Sequence, residues 1–406
     1  MCQKSSCMTP LLIDSPRRVL LLIAGDIGDV IRTTPYIRAA RKRFPAAHLA
    51  ALVSERGVAA LANCPYLDEV VARPVLDDDL SLWRKTWGKA SELAVSWSRV
   101  RRRFDVVISF VGPEAGGPFW HALAFASGAR TRIGHGVHGT GPLLTHDLGD
   151  GNSGLLSRRL DRLFARLGVP LAQGERILEI WPTDRDRLAA LKLLNENGIQ
   201  PTDHLVVVGP GSDWSCQQWG ADNWAAVIDA LTAEFGTRTV VVGITRESRI
   251  AAQIRRVAEH PVVDLTGRTT VGQLAAVMER SQLALTLESA PAEVALAVGA
   301  PTVVLFGSIP NWLDGQHRAP AVAVKIDDSA TSPNLYTACK LTKMLRGVHR
   351  CESDLCVGGE GLASISTRQV IAAARLLLKQ AIAKDSVSPG AHAWLKAKAI
   401  SHAGDP

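Results

Sequence analysis

The chain has 406 residues, of which 47% are hydrophobic and 21% charged, with a net charge of +7. At about 100–200 residues per domain this predicts two domains with sizeable cores, and the composition excludes a largely disordered chain. No uninterrupted apolar run approaches the roughly 20 residues that a membrane helix needs.

The opening stretch MCQKSSCMTPLLIDSPRR lacks the charged-then-apolar order of a secretory signal, so a cytoplasmic protein is expected. RVLLLIA (18–24) reads as a buried strand. A Gly-Asp loop follows, then helix to about Arg43, then strands at HLAALVS (48–54) and EVVAR (69–73). Helix is predicted over 82–103 and strand over FDVVISF (104–110). Arg99, Arg101, Arg102 and Arg103 cluster there, preceded by Trp83, Trp87 and Trp97. Two readings stay open for this cluster. It is a solvated helix end whose tryptophans pack on the core, or a landing patch for an anionic lipid or acceptor. No nucleic-acid motif accompanies the charge, so no nucleic-acid partner is expected.

From Gly112 to Gly154 the sequence is rich in Gly, Pro and His, which predicts mobile loops near a cleft. A helix is expected over 155–167 and another over LAALKLLNENG, with the domain boundary near Pro182. A second alternating series places strands at 205–211, 239–243, VVDLTG, 283–287 and 302–307. Its helices fall at 222–235, 246–258, 271–280 and 291–298. An amphipathic helix over 367–384 precedes a loose tail. Such alternation with continuous apolar strands indicates parallel sheets covered on both faces.

Ligands of open α/β sheets bind beyond the carboxyl ends of strands, which selects four segments. In AGDIGDVIRTTP (24–35), Gly25 and Gly28 permit tight turns. Asp29 is either a plain helix cap or a general base, and Thr34-Pro35 could open a fresh helical turn. The third glycine of a dinucleotide fingerprint is missing. In VVGPGSDWSCQQWGADNW (207–224), Gly209, Gly211 and Ser212 offer backbone N–H groups and a hydroxyl to a phosphate. Trp219 and Trp224 are expected to pack, and Asp222 to cap the next helix. In LTLESAPAEVALAVGAP (285–301), Glu288-Ser289 form a turn, Pro291 opens a helix, and Gly299 and Pro301 close it. Ser289 lies where an anion would bind, and Glu293 complements the helix dipole. LFGSIPNW (305–312), with Gly307 and Ser308, is weaker. The seven cysteines do not form a disulfide framework. Cys339, Cys351 and Cys356 share one stretch with His349, where reduced thiols are expected in preference to a metal.

Together these segments resemble glycosyltransferase family 9, the ADP-heptose:lipopolysaccharide heptosyltransferases, over about residues 17–380. RVLLLIAGDIGDVIRTTPYIRAARKRFPAAHLAALV is similar to the family's opening. LVVVGPGSDW...QQW resembles its PG-containing loop followed by K-x-W. SQLALTLESAPAEVALAVGAPTVVLFG resembles its block with an Asp-Ser/Thr-Gly turn.

The resemblance implies a GT-B fold, with two doubly wound Rossmann-like domains facing a central cleft. It implies an acceptor-side domain at 1–181, a nucleotide-sugar-binding domain at 182–385, and a tail at 386–406. The mechanism would be inverting, without a cofactor or an essential metal. Asp29 would deprotonate the acceptor, with Gly28 and Thr33 on the acceptor side. Gly211, Ser212, Gln217, Glu288 and Ser289 would hold the donor. The implied partners are an ADP-sugar donor and an anionic glycolipid or glycan acceptor such as lipopolysaccharide core, with peripheral contact at the inner membrane.

Four positions depart from the family. Its lysine in K-x-W is Gln217 here, its turn aspartate is Glu288, and its glycine and histidine are Ala290 and Glu293. An altered sugar nucleotide, compensation by Arg246 or Arg268, and weakened activity compete as explanations. A binding protein without catalysis and a GT-B epimerase therefore stand as alternatives to the transferase.

Overall fold

A computed structural model of the chain describes residues 10–13, 15–73, 94–112, 117–149, 156–212, 218–306, 318–325 and 361–387. The apolar runs form strands because they can be buried on both faces, which a parallel sheet under two helical layers requires. Residues Val19 to Ile23 of β1 (Arg18–Ile23) are all 0% exposed. It pairs in parallel with β2 (His48–Ser54) on one side and β4 (Val106–Ser109) on the other. With β3 (Glu69–Arg73), β5 (Thr131–Gly134) and β6 (His146–Asp147), the six-stranded order is β3-β2-β1-β4-β5-β6.

The second sheet repeats this topology. Its strands are β7 (Leu205–Gly209), β8 (Arg238–Val241), β9 (Val262–Asp264), β10 (Leu283–Leu287), β11 (Thr302–Phe306) and β12 (Ala321–Lys325). Their order, β12-β11-β10-β7-β8-β9, is the same doubly wound arrangement, with β7 and β10 at the centre. Packing divides the chain between Trp181 and Pro182. The segment before that point is tied to the first unit. Arg38 pairs with Glu179 at 3.0 Å, and Glu179 N donates to Thr34 Oγ1 at 3.0 Å.

The helix after β1 is broken in two, α1 (Ile27–Arg32) and α2 (Thr34–Arg43), at Thr33. Pro35 has no N–H for the carbonyl of Ile31, and the Thr34 hydroxyl donates to that oxygen instead at 2.8 Å. Thr33, not Thr34, is therefore the cap position, with Pro35 in the first turn. The next helix is α3 (Glu55–Val58). Residues 94–100 form α4.

The described residues of the stretch from Gly112 to Gly154 hold more regular structure than expected. They include α5 (Gly117–Ala126), β5 and β6. Helix α5 is apolar on most sides, and β5 and β6 are only four and two residues long, so neither presents a clear period. His121, fully buried on α5, is held by Ser109 Oγ at 3.0 Å and Thr140 Oγ1 at 2.6 Å. Burial lowers its pKa to about 4.

The remaining helices are α6 (Leu156–Arg166), α7 (Asp184–Glu196), α8 (Ala221–Phe235), α9 (Ser248–Val257), α10 (Val271–Arg280), α11 (Ala290–Val298) and α12 (Thr367–Val387). Trp219 and Trp224 pack edge-to-face with centroids 4.9 Å apart, both fully buried in the second core. Gly220, with φ of 69°, caps α8, and Asp222 stands in the first turn instead of at the cap. Cys64 is a buried free thiol whose pKa burial pushes up to about 11. Trp83, Trp87, Gln217, Gly307, Ser308, Cys339, His349, Cys351 and Cys356 lie outside the described residues, as does the chain beyond 387. Among the described residues, no helix is long and apolar enough to cross a membrane.

Candidate functional site

In both units the strand order reverses between the first and fourth strands, and the loops leaving those strands border a crevice. In the second unit these are the loops after β7 and β10. The strands pair with Leu283 opposite Val206 and Thr286 opposite Gly209. The Gly211-Ser212 loop and the Glu288-Ser289 turn therefore leave the same edge side by side. Their approach is close: a Cβ added to Gly209 would lie 3.0 Å from Pro291 Cβ and 3.3 Å from Thr286 Cγ2.

Ser289 is the cap of α11, with an extended backbone. Its hydroxyl donates to Leu287 O at 3.3 Å, leaving the helix amides without a side-chain cap from it. Pro291 lies in the first turn, one place later than the sequence suggests, and Gly299 closes the helix at φ of 80°. Glu288 is half-buried at the strand end, and Glu293 is fully buried in the first turn of α11. Helix α11 thus combines an amide-bearing terminus with a carboxylate that offsets part of its positive end.

One residue of this edge was not anticipated. Glu247, on the turn between β8 and α9, accepts from Ile244 N at 2.9 Å. Its carboxylate occupies space that only glycines leave. A Cβ on Gly211 would lie 2.0 Å from Glu247 Cδ, and one on Gly243 would lie 2.0 Å from Oε2. Arg246 stands on the same turn and is exposed. Arg268 donates to Asn197 Oδ1 at 3.2 Å. Glu247 does end a local cap, but Ile244 replaces the Ser or Thr that would have signalled it.

In the first unit, Asp29 lies at the third position of α1 and is half-exposed. Its Oδ2 accepts from Asp26 N at 3.2 Å, and its Oδ1 is 3.6 Å from Arg32 Nη1. Gly25 makes room for it. Its φ is 113°, and a Cβ there would lie 2.4 Å from Asp29 Oδ2. Ser54, at the end of β2, donates to Gly25 O at 2.7 Å and fixes the turn. Gly28 is buried, and Thr33 is 1% exposed with its hydroxyl donating to Val30 O at 2.7 Å. Asp29, Gly28 and Thr33 are thus gathered at one switch point, and Gly211, Ser212, Glu288 and Ser289 at the other.

Two doubly wound Rossmann-like units are the architecture of the GT-B fold, and comparison with known proteins agrees. Residues 152–344 match the family model of glycosyltransferase family 9 (heptosyltransferase). Lipopolysaccharide heptosyltransferase 3 of Escherichia coli is 23% identical over 297 residues, covering 69% of this chain and 81% of that protein. The structure is similar to a family 9 glycosyl transferase from Veillonella parvula, with a TM-score of 0.72, 24% identity, and coverage of 90% and 97% of the two chains. It is also similar to the ADP-heptose lipopolysaccharide heptosyltransferase II of Escherichia coli, with a TM-score of 0.65, 16% identity, and coverage of 89% and 99%. Residues 152–344 are thus similar to glycosyltransferase family 9, and the likeness to the solved structures shows the GT-B fold.

Proposed function

We propose that the protein transfers heptose, or a related sugar, from an ADP-sugar to a cell-envelope glycan such as lipopolysaccharide core, with inversion. The observation that carries this reading is the pairing of β7 with β10, which sets a glycine-serine loop beside the open end of α11. Backbone N–H groups with Ser212 and Ser289 suit a diphosphate, and Glu288 and Glu247 suit hydroxyls of the sugar or ribose. Gln217 adds a neutral hydrogen-bonding group by its place in the sequence, and Arg246 is the cation that would offset the missing lysine charge. The relatives' own descriptions, as heptosyltransferases acting on lipopolysaccharide, support the donor and acceptor classes.

Chemically, the acceptor hydroxyl gives its proton to the Asp29 carboxylate as its oxygen bonds to the anomeric carbon. The bond from that carbon to the β-phosphate oxygen breaks, and the electron pair leaves with ADP. The donor-side groups stabilise the charge that develops there. Gly28 and Thr33 hold the turn that presents Asp29. The acceptor class implies work at the inner face of a membrane.

Asp29→Ala tests the base. Transfer is expected to fall by at least a hundredfold, with ADP affinity and melting temperature retained. Undiminished transfer would remove Asp29 from the reaction.

A further inference from the structure

The helix that presents Asp29 depends on bracing from outside itself. Helix α1 has six residues, too few to hold its shape alone in water. It ends at Thr33, where Pro35 denies the Ile31 carbonyl its usual helical donor. At the front, Ser54 Oγ donates to Gly25 O at 2.7 Å and pins the turn to β2. At the back, the bracing comes from the Thr34 hydroxyl. Thr34 is fully buried, and its Oγ1 donates to Ile31 O at 2.8 Å while accepting from Glu179 N at 3.0 Å. A hydroxyl has one proton to give, so these two bonds use its donor and one acceptor side together.

Glu179 lies outside helix and strand, in the connector that leads from α6 to the second unit, which begins at Pro182. Its carboxylate is 9% exposed. It pairs with Arg38 of α2 at 3.0 Å and accepts from the Tyr66 hydroxyl at 3.2 Å. Arg38 also donates to Glu175 O. Trp181 packs edge-to-face on Tyr66 with ring centroids 5.9 Å apart, and its carbonyl accepts from Asn63 Nδ2 at 3.4 Å. The connector is thus strapped to the first unit at Glu175, Glu179 and Trp181, and the middle fastening is the residue bonded to Thr34. Satisfying the Ile31 carbonyl requires only the bond from Thr34. It does not require the connector's amide on the same oxygen, nor a nearly buried carboxylate to fix that residue at a cost in desolvation.

We propose that Thr34 is a positioning residue for Asp29, through which the connector at Glu179 fixes the turn carrying the base. Thr34 follows Asp29 by five residues, about 7.5 Å of helix, so it acts through α1 and not by touching substrate. The inference rests on the reading of Asp29 as the base and deepens it: the connector sets where the carboxylate stands when the acceptor hydroxyl arrives. Misplacing a reacting group by about 1 Å costs on the order of a hundredfold in rate, so a loosened α1 lowers turnover more than it weakens binding.

Thr34→Val keeps the shape of the side chain and removes both hydroxyl bonds, whereas Thr34→Ser keeps the hydroxyl. On the full chain, hydrogen exchange of the amides at 29–33 is expected to speed up roughly tenfold in Thr34→Val, without change in the second sheet, and to return close to wild type in Thr34→Ser. In steady-state transfer, kcat of Thr34→Val is expected to fall roughly tenfold with both KM values within about twofold of wild type, and Thr34→Ser to recover. Glu179→Gln weakens the strap but keeps its amide. It is expected to move both readouts the same way by about threefold, and it carries the test if Thr34→Val does not fold. Unchanged exchange, faster exchange without loss of kcat, a loss shared equally by kcat and KM, or no recovery in Thr34→Ser would overturn the inference. If the wild-type chain transfers no sugar, faster exchange at 29–33 reversed by Thr34→Ser still supports the strap, and the failure belongs to the proposed activity alone.

Discussion

Glu247 shows how much of this site is decided by the lack of side chains around one carboxylate. Gly211 and Gly243 admit it, and Ile244 N fixes one oxygen. A Gly211→Ala substitution puts a methyl into the carboxylate. The flexible side chain can withdraw, so the fold is expected to survive with a loss of about 1–3 kcal/mol. Withdrawal pushes Glu247 into the space assigned to the donor, so ADP affinity should fall at least tenfold by calorimetry. Unchanged affinity would show that the Gly211 loop is not the donor loop.

His121 gives a second test at the same scale. The Thr140 hydroxyl donates to Val137 O, so its oxygen accepts from His121 Nδ1–H, and Ser109 donates to Nε2. The neutral ring satisfies every group, and an added proton would face the Ser109 oxygen in a buried place. With a pKa of about 4 in the fold and 6.5 otherwise, the unfolded chain binds the proton first as pH falls. Stability is then full above pH 6.5 and is lost progressively down to about 4, by on the order of 3 kcal/mol. Urea unfolding from pH 7 to 4 should show this slope, and His121→Gln should flatten it.

At the scale of elements, Trp219 links the loop after β7 to the start of α12, since its Nε1 donates to Ile365 O at 2.9 Å. Trp219→Phe keeps an aromatic ring but orphans that carbonyl and leaves a small void. A cost of about 1–3 kcal/mol is expected, seen as a lower urea midpoint. The packing role of Trp219 and Trp224 was legible because two large apolar rings five residues apart around a helix start are more readily buried together than left in solvent. So were α10 and β10, whose expected limits of 271–280 and 283–287 agree with the structure. Strand β12 escaped because AVAVK is short and alternates small with apolar residues at a sheet edge. The break at Thr33 escaped in detail because its cause, the hydroxyl of Thr34 serving the carbonyl that Pro35 cannot, is a tertiary choice between adjacent threonines. Glu247 escaped for a related reason: a sequence shows a carboxylate near a strand end but not the pair of glycines that sheet pairing brings around it.

At the scale of the molecule, the two sheets share one strand order, so topology alone does not say which unit takes the nucleotide. The loops carry the assignment proposed above. The first unit offers Asp26 and Asp29 within one short turn, which repels a diphosphate and suits proton abstraction from a neutral hydroxyl. The second offers the Gly211-Ser212 loop, the open end of α11 and the turn bearing Arg246. Hydrogen exchange on the full chain discriminates directly between the two. Saturating ADP is expected to protect amides at 209–212, 243–247 and 287–292, because the ligand binds the native state there and raises the cost of local opening. Amides at 25–33 should exchange as before, since ADP alone carries no acceptor hydroxyl for Asp29. Protection at 25–33 without any in the second unit would exchange the roles of the two halves, and Asp29 would become a donor contact instead of the base.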